Sequence, residues 1–257
     1  MRIASYNING INSRLAILLG WLAKFAPDVL CLQELKCTDA AFPAAAIADA
    51  GYQAIWHGQQ RWNGVAILSR VGPPVETRRG LPDDPDEAQS RYLEAAVAGI
   101  LIGNLYLPNG NPNPGPKFDY KLAWMERLAA HARGLLEAAV PAMLIGDFNV
   151  IPTDLDVYKP ERWKKDALFA PKAKERFAAL VASGWTDAIR HLHPDERIYT
   201  FWAYWRQSFE RDAGIRIDHA LLSSTLAPRL KAAGVDRGPR GLAKTSDHAP
   251  IWIELEA

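Results

Sequence analysis

The sequence predicts an α/β domain in which two β-sheets pack face to face with helices outside them. Strand-length apolar runs far outnumber helical repeats along its 257 residues, the repeats fall between the strands, and 49% hydrophobic against 23% charged residues is enough to fill a sizeable core. Arg2–Tyr6 opens the strand series. Leu15, Leu18, Leu19, Leu22 and Phe25 then recur at helical spacing and stop at Pro27. Strands follow at Val29–Gln33, Gln53–Trp56, Val65–Ser69, Leu93–Val97 and Ile100–Tyr106. Phe118, Leu122, Met125, Leu128 and Ala132 mark a second helix, Met143–Ile145 another strand, and Phe177, Leu180 and Val181 a third helix ending before Gly184. Tyr199–Trp202, Arg216–Leu222 and Ile251–Leu255 complete the strands. With no linker, low-complexity tract or short repeat, residues 1–257 read as one domain.

Thirty basic and 29 acidic residues leave a net charge of +1, which argues against coating of nucleic acid by bulk charge but leaves room for a local basic groove. Two cysteines, Cys31 and Cys37, make no disulfide framework, and Cys31 sits in an apolar run as a small buried hydrophobe. The N-terminus lacks an apolar signal core, and no stretch approaches the ~18 apolar residues of a membrane span. The expectation is a cytoplasmic protein in a reducing compartment, with a monomer the simplest state.

Polar residues gather at strand ends. Asn7-Ile8-Asn9-Gly10 follows the first strand, Glu34 and Lys36 the second, and Tyr106 closes another before Pro108-Asn109-Gly110. Asp147-Phe148-Asn149 follows Met143–Ile145, Asp218-His219 interrupts an apolar run, and Asp247-His248 precedes the last strand. A carboxylate or amide at one strand end is ordinarily a cap or turn residue, a reading that fits so many clusters poorly. Metal-assisted cleavage of a phosphodiester needs such a set. Glu34 and Asn9, with Asp247 or Asp147, form an oxygen-rich cup of the kind that binds Mg²⁺. Asp147 beside Asn149 suits orientation and deprotonation of a water. His248, Tyr106 and Asn7 are donors for charge on the phosphate, and Asp218 suits fixing the His248 tautomer. Nucleotide-triphosphate, dinucleotide and serine-hydrolase motifs are all missing from the sequence, and His191-Leu192-His193 lacks partners at zinc-ligand spacing.

In order, Ser5–Ile11, Leu32–Lys36, Asn63–Ser69, Tyr106–Gly110, Gly146–Asn149, Tyr199–Trp202, Arg216–His219 and Ser246–Pro250 resemble the endonuclease/exonuclease/phosphatase superfamily. They look most like its exodeoxyribonuclease III and class II apurinic/apyrimidinic endonuclease branch. The resemblance spans essentially the whole chain. It implies a four-layer α/β sandwich of two mixed sheets flanked by helices, with one site at the strand ends. It also implies Mg²⁺ or Mn²⁺ dependence, hydrolysis 5′ to abasic sites in double-stranded DNA, and cleaning of 3′ ends. By motif, Glu34 is the chief metal ligand, assisted by Asn9 and Asp247. Asp147 serves the water beside Asn149, and His248, paired with Asp218, contacts the phosphate with Tyr106 and Asn7.

The DNA-facing set implied by the resemblance, or by charge, comprises Lys36, Arg61, Asn63, Asn109, Arg237, Arg240 and Lys244, with Phe201, Trp202, Ile215 and Ile217 at the sugar pocket. Many relatives carry Trp where this chain has Ile215, which bears on abasic-site preference. Inositol-phosphate phosphatases and sphingomyelinases share the scaffold. The former carry Pro-Ala-Trp-x-Asp-Arg where this chain has Gly214-Ile215-Arg216-Ile217-Asp218, and the latter, when secreted, an export signal. A non-catalytic DNA-binding module on this scaffold would be expected to have lost residues such as Glu34, Asp147 and His248, all present here.

Overall fold

The computed structural model describes residues 1–256. Its strands are β1 (Arg2–Asn7), β2 (Val29–Gln33), β3 (Gln53–His57), β4 (Val65–Ser69), β5 (Val75–Arg79), β6 (Tyr92–Val97), β7 (Ile100–Tyr106), β8 (Ala142–Asp147), β9 (Thr186–Asp187), β10 (Asp218–Leu222), β11 (Leu230–Val235) and β12 (Ile251–Leu255). Helices α1 (Leu15–Phe25), α2 (Ala44–Asp49), α3 (Pro116–Glu137), α4 (Pro171–Ala182) and α5 (Ala188–Leu192) lie between them. No helix among the described residues is long and apolar enough to cross a membrane.

The strands form two six-stranded sheets, ordered β11-β12-β1-β2-β4-β3 and β5-β6-β7-β8-β10-β9. Each is mixed: β1 pairs parallel with β2 and β7 parallel with β8, while the flanking pairs are antiparallel. The apolar inner faces meet through Ile3, Val29, Ile67, Leu93, Ile102, Ile145, Ala220 and Ile253. On the outer faces, α1 and α2 cover the first sheet through Leu18, Leu22 and Ile47, while α3 and α4 cover the second through Trp124, Leu128, Phe177 and Leu180. This is the four-layer sandwich. A polar clamp crosses the sheets, with the Gln33 amide donating to Asn104 Oδ1 at 2.7 Å and the Asn104 amide to the Leu32 and Ala66 carbonyls.

Helix α1 stops as its periodicity demands: Ala26 turns left-handed (φ 49°), its N–H donates to the Leu22 carbonyl, and Pro27 follows. Tyr199–Trp202 is not a strand, since Phe201 makes only isolated bridges to Ile215 and His248. Cys31 and Cys37 are both buried and free.

Register brings the strand-end clusters together. Asn7 lies opposite Gln33 in the first sheet; in the second, Asp147 lies between Tyr106 on one side and Asp218 on the other. The close approach of β8 to β7 requires Gly146, at φ 146°, because a Cβ there would fall 2.0 Å from the Leu105 carbonyl oxygen.

Candidate active site

At this common end of the sheets, the Asn7 amide donates to Glu34 Oε1 at 2.9 Å and to Asp147 Oδ2 at 3.0 Å, so one buried side chain spans the two sheets. His248 Nδ1 is 2.8 Å from Asp218 Oδ2, and its Nε2 is 3.8 Å from Asp147 Oδ2. Ser246 supports that imidazole: its hydroxyl donates to the Asn7 carbonyl and accepts from the His248 N–H. Thr200 plays the matching part for Asp218, accepting from the Ile217 and Asp218 N–H groups. The Asn149 N–H donates to Asp147 Oδ1 at 2.9 Å, its amide to the Leu107 carbonyl, and its Oδ1 accepts from Asn109.

Burial and mutual charge set the proton inventory. Burial raises the Asp147 carboxyl well above the carboxylate range, with the charges of Asp218 and Glu34 adding to the rise and His248 opposing it. Burial alone would lower His248, but the charge and hydrogen bond of Asp218 lift it to about 10. Burial alone would raise Glu34, but the charge and hydrogen bond of Lys36, the Asn7 amide and the His248 charge together hold it below its usual value. Burial, with the Glu34 and Asp147 charges, keeps the Tyr106 phenol protonated.

One oxygen or nitrogen from each of Glu34, Asp147 and His248 lies within 4.8 Å of the others. A protonated imidazole offers two donors and no lone pair, so His248 fills that triangle as a cation instead of ligating one. The oxygen cup opens on the other side of Glu34. There the Lys36 ammonium bridges Glu34 Oε2 at 2.7 Å and Asn9 Oδ1 at 2.5 Å, and the Asn9 amide donates to Asp247 Oδ1. Oxygen donors already holding one cation fit a hard divalent metal.

The expected catalytic and metal residues therefore converge, while the DNA-facing set divides. Arg61, Asn109 and Lys244 are exposed. Phe201 is half-buried with its ring 5.1 Å from the His248 ring, and with Ile215, Asn109 and Trp205 it lines a cavity of about 460 Å³ beside the site. Trp202 is a correction: it is fully buried, its indole N–H bonded to Asp212. Arg240 is another, buried with its guanidinium donating to the Trp202 carbonyl. Arg237 is paired with Asp212, the buried Asn63 amide donates to Gln59, and Lys36 turns inward onto Glu34. Ile217 is 2% exposed and belongs to the packing beneath Phe201.

Two participants were not anticipated. The Tyr204 hydroxyl accepts from the Asn9 amide and donates to the Thr245 carbonyl, tying the Asn9–Asp247 side together. Lys121, 0% exposed, reaches the Asn109 and Asn149 carbonyls from α3. Its sequence signal was available: it stands three residues after Phe118 and four before Met125, on the helix's apolar stripe.

Hydrolysis of a phosphate ester is the chemistry that such carboxylates, imidazolium and oxygen cup perform together, on a scaffold of two mixed sheets between helix layers. The chain belongs to the endonuclease/exonuclease/phosphatase family, whose model matches residues 4–248. It is 34% identical over 268 residues to exodeoxyribonuclease III of Haemophilus influenzae, covering all of both chains. It superimposes on an AP endonuclease from Archaeoglobus fulgidus with a TM-score of 0.95 at 36% identity, and on the Neisseria 3′ phosphatase NExo bound to a product DNA hairpin with 0.95 at 39%, each match covering both chains fully.

Proposed function

We propose that this protein is a divalent-metal-dependent DNA repair nuclease that hydrolyses phosphodiesters 5′ to abasic sites and removes nucleotides or blocking phosphates from 3′ ends. The observation that carries the reading is the Asn7 bridge between Glu34 and Asp147, which joins the metal cup to the water-activating carboxylate. Support for DNA as substrate comes from the exodeoxyribonuclease, AP endonuclease and 3′ phosphatase relatives. The proposed form is a cytoplasmic monomer working as one catalytic unit on double-stranded DNA.

Glu34, with Asn9 and Asp247, would hold Mg²⁺ or Mn²⁺, which when bound would supply Lewis-acid neutralisation of negative charge on the phosphate. Asp147 takes the proton of the attacking water. His248 already holds its own proton firmly, whereas the raised affinity of Asp147 suits a base working near neutrality. Asn149 orients that water, and Asn7, Tyr106 and the His248 cation donate to the non-bridging oxygens. The cavity bounded by Phe201 and Ile215 receives the sugar 3′ of the scissile bond.

The test is incubation of a duplex carrying one central abasic analogue, and of a 3′-phosphate-ended duplex, with Mg²⁺ and then with EDTA. A metal-dependent nick on the 5′ side, release of the 3′ phosphate, and loss of both with Asp147→Asn or Glu34→Ala are expected. Cleavage persisting in EDTA refutes the mechanism, and equal cutting of intact and abasic duplex refutes the endonuclease specificity.

A further inference from the structure

We propose that Lys121 is a positioning residue for hydrolysis: its buried ammonium staples the loops after β7 and β8 and thereby holds Asn149 and Asp147 in register for the water. This rests on the nuclease reading above. Lys121 Nζ donates to the Asn109 carbonyl at 3.0 Å and to the Asn149 carbonyl at 2.5 Å. The same two residues meet through their side chains, Asn109 donating to Asn149 Oδ1 at 3.2 Å. Ammonium, two backbone carbonyls and the amide pair therefore close a ring behind the site. Gly110 makes room for it, since a Cβ at that position would lie 2.6 Å from Lys121 Cδ.

Asn149 needs such a hold. It sits at φ 48°, a left-handed conformation that turns its carbonyl toward the α3 side, while its N–H fixes Asp147 Oδ1. A buried carbonyl requires a donor, and Lys121 brings one from outside both loops. Burial lowers its proton affinity to about 7, against the pull of Asp147 and Asp166, and either protonation state keeps the two N–H donors that the carbonyls require. Its value lies in the two bonds that it donates, and their effect reaches the water through Asn149.

The experiment compares Lys121→Met and Lys121→Gln with wild type in single- and multiple-turnover cleavage of the abasic-analogue duplex with Mg²⁺, in native and Asn149→Ala backgrounds. Wild-type activity tests the nuclease reading by itself; the variants test the staple only once that activity is present. Lys121→Met is expected to lower kcat by about 10- to 100-fold with a smaller change in KM, because Lys121 lies behind the site and acts only through the Asn109 and Asn149 carbonyls. Lys121→Gln, which retains amide donors, is expected to recover part of the loss. In the Asn149→Ala background, Lys121→Met should cost less than about two-fold more, because the residue it serves is gone. An unchanged kcat, or an equal loss in both backgrounds, overturns the proposal. Should Lys121→Met not fold, Lys121→Gln carries the same two-background comparison.

Discussion

Replacing Asp218 with Asn separates the two things that the carboxylate does for His248. The pair is buried, with side-chain exposures of 4% and 2%, and its 2.8 Å bond both orients the ring and holds its proton. In the wild type Asp218, working against burial, lifts His248 to about 10, which makes it roughly 99% cationic at about pH 8. Without Asp218, burial pulls the imidazole down and Asp147, 3.8 Å away, pulls it up, so the ordinary value of about 6.5 is the working figure. The cationic fraction at about pH 8 then drops to roughly 3%, a loss of about 30-fold in the charged donor, whereas at about pH 6 it falls by less than about 1.5-fold. Loss of orientation multiplies both by the same pH-independent factor. Single-turnover cleavage at saturating Mg²⁺ from about pH 6 to 8 should therefore show a defect that deepens by about 20-fold or more across the range. A variant-to-wild-type ratio that stays flat with pH refutes the assignment of His248 as a cation. The linked stability has a defined sign: a histidine raised on folding stabilises fully below about pH 6.5 and loses that contribution as pH rises through about 10.

Glu34→Gln removes the charge that holds Lys36 and anchors the metal cup, so half-saturating Mg²⁺ should rise by at least about 10-fold in an activity titration. An unchanged titration would remove Glu34 from the ligand set. Asp147→Asn should cost about 10²- to 10⁴-fold in rate. It should also raise the melting temperature near pH 8, because a carboxyl whose proton affinity is raised by burial destabilises the fold wherever it is ionised, so a lower melting temperature would contradict the burial argument. Arg216→Met strips a 1% exposed guanidinium from Asp156 and Asp187 and should destabilise by about 3–5 kcal/mol in urea unfolding. A loss under about 1 kcal/mol would show that Arg190 and His219 suffice for those carboxylates.

Legibility followed burial. Val29–Gln33, Val65–Ser69, Ile100–Tyr106 and Ile251–Leu255 match their sequence boundaries, because strands inside a sheet covered by helices on one face and a second sheet on the other are apolar runs with polar ends. The unanticipated strands β5, β9 and β11 all lie on sheet edges. β5, Val-Glu-Thr-Arg-Arg, is exposed along its whole length and carries no apolar signal to read. At the site, residue type and position at a strand end singled out Glu34, Asp147 and His248, which the fold brings together. The same signals did not reveal that Trp202 and Arg240 turn inward, which depends on partners elsewhere in the chain: Asp212 receives the indole N–H, the Trp202 carbonyl receives the Arg240 guanidinium, and Gly214 leaves room for the indole.

The strand ends also explain how these carboxylates come to face one another. Successive residues of an extended strand point to opposite faces. Yet the Gln33 side chain bonds Asn104 of the second sheet, and the next side chain, Glu34, shares the Asn7 amide with Asp147 of that same sheet. The break in alternation is made by the backbone: Glu34 adopts φ 52°, Lys36 φ 52°, Asn9 φ 50° and Asn149 φ 48°. Left-handed geometry costs a residue with a Cβ about 1–2 kcal/mol, least for Asn. It persists because neighbouring turns bind one another. Gly10 N–H donates to the Glu34 carbonyl, Ile11 N–H to Leu35, Leu35 N–H to Gly64 and Lys36 N–H to Asn63. Strain at Asn9, Glu34 and Lys36 is thus held by hydrogen bonds between neighbouring turns, and Glu34 is presented inward by a turn that a regular strand would not make, while Asp147 and Asp218 project from paired positions of β8 and β10. The near-neutral net charge of +1 conceals this arrangement, because Glu34, Asp147, Asp218 and Asp247 are drawn into one centre while Arg61 and Lys244 stay exposed to solvent.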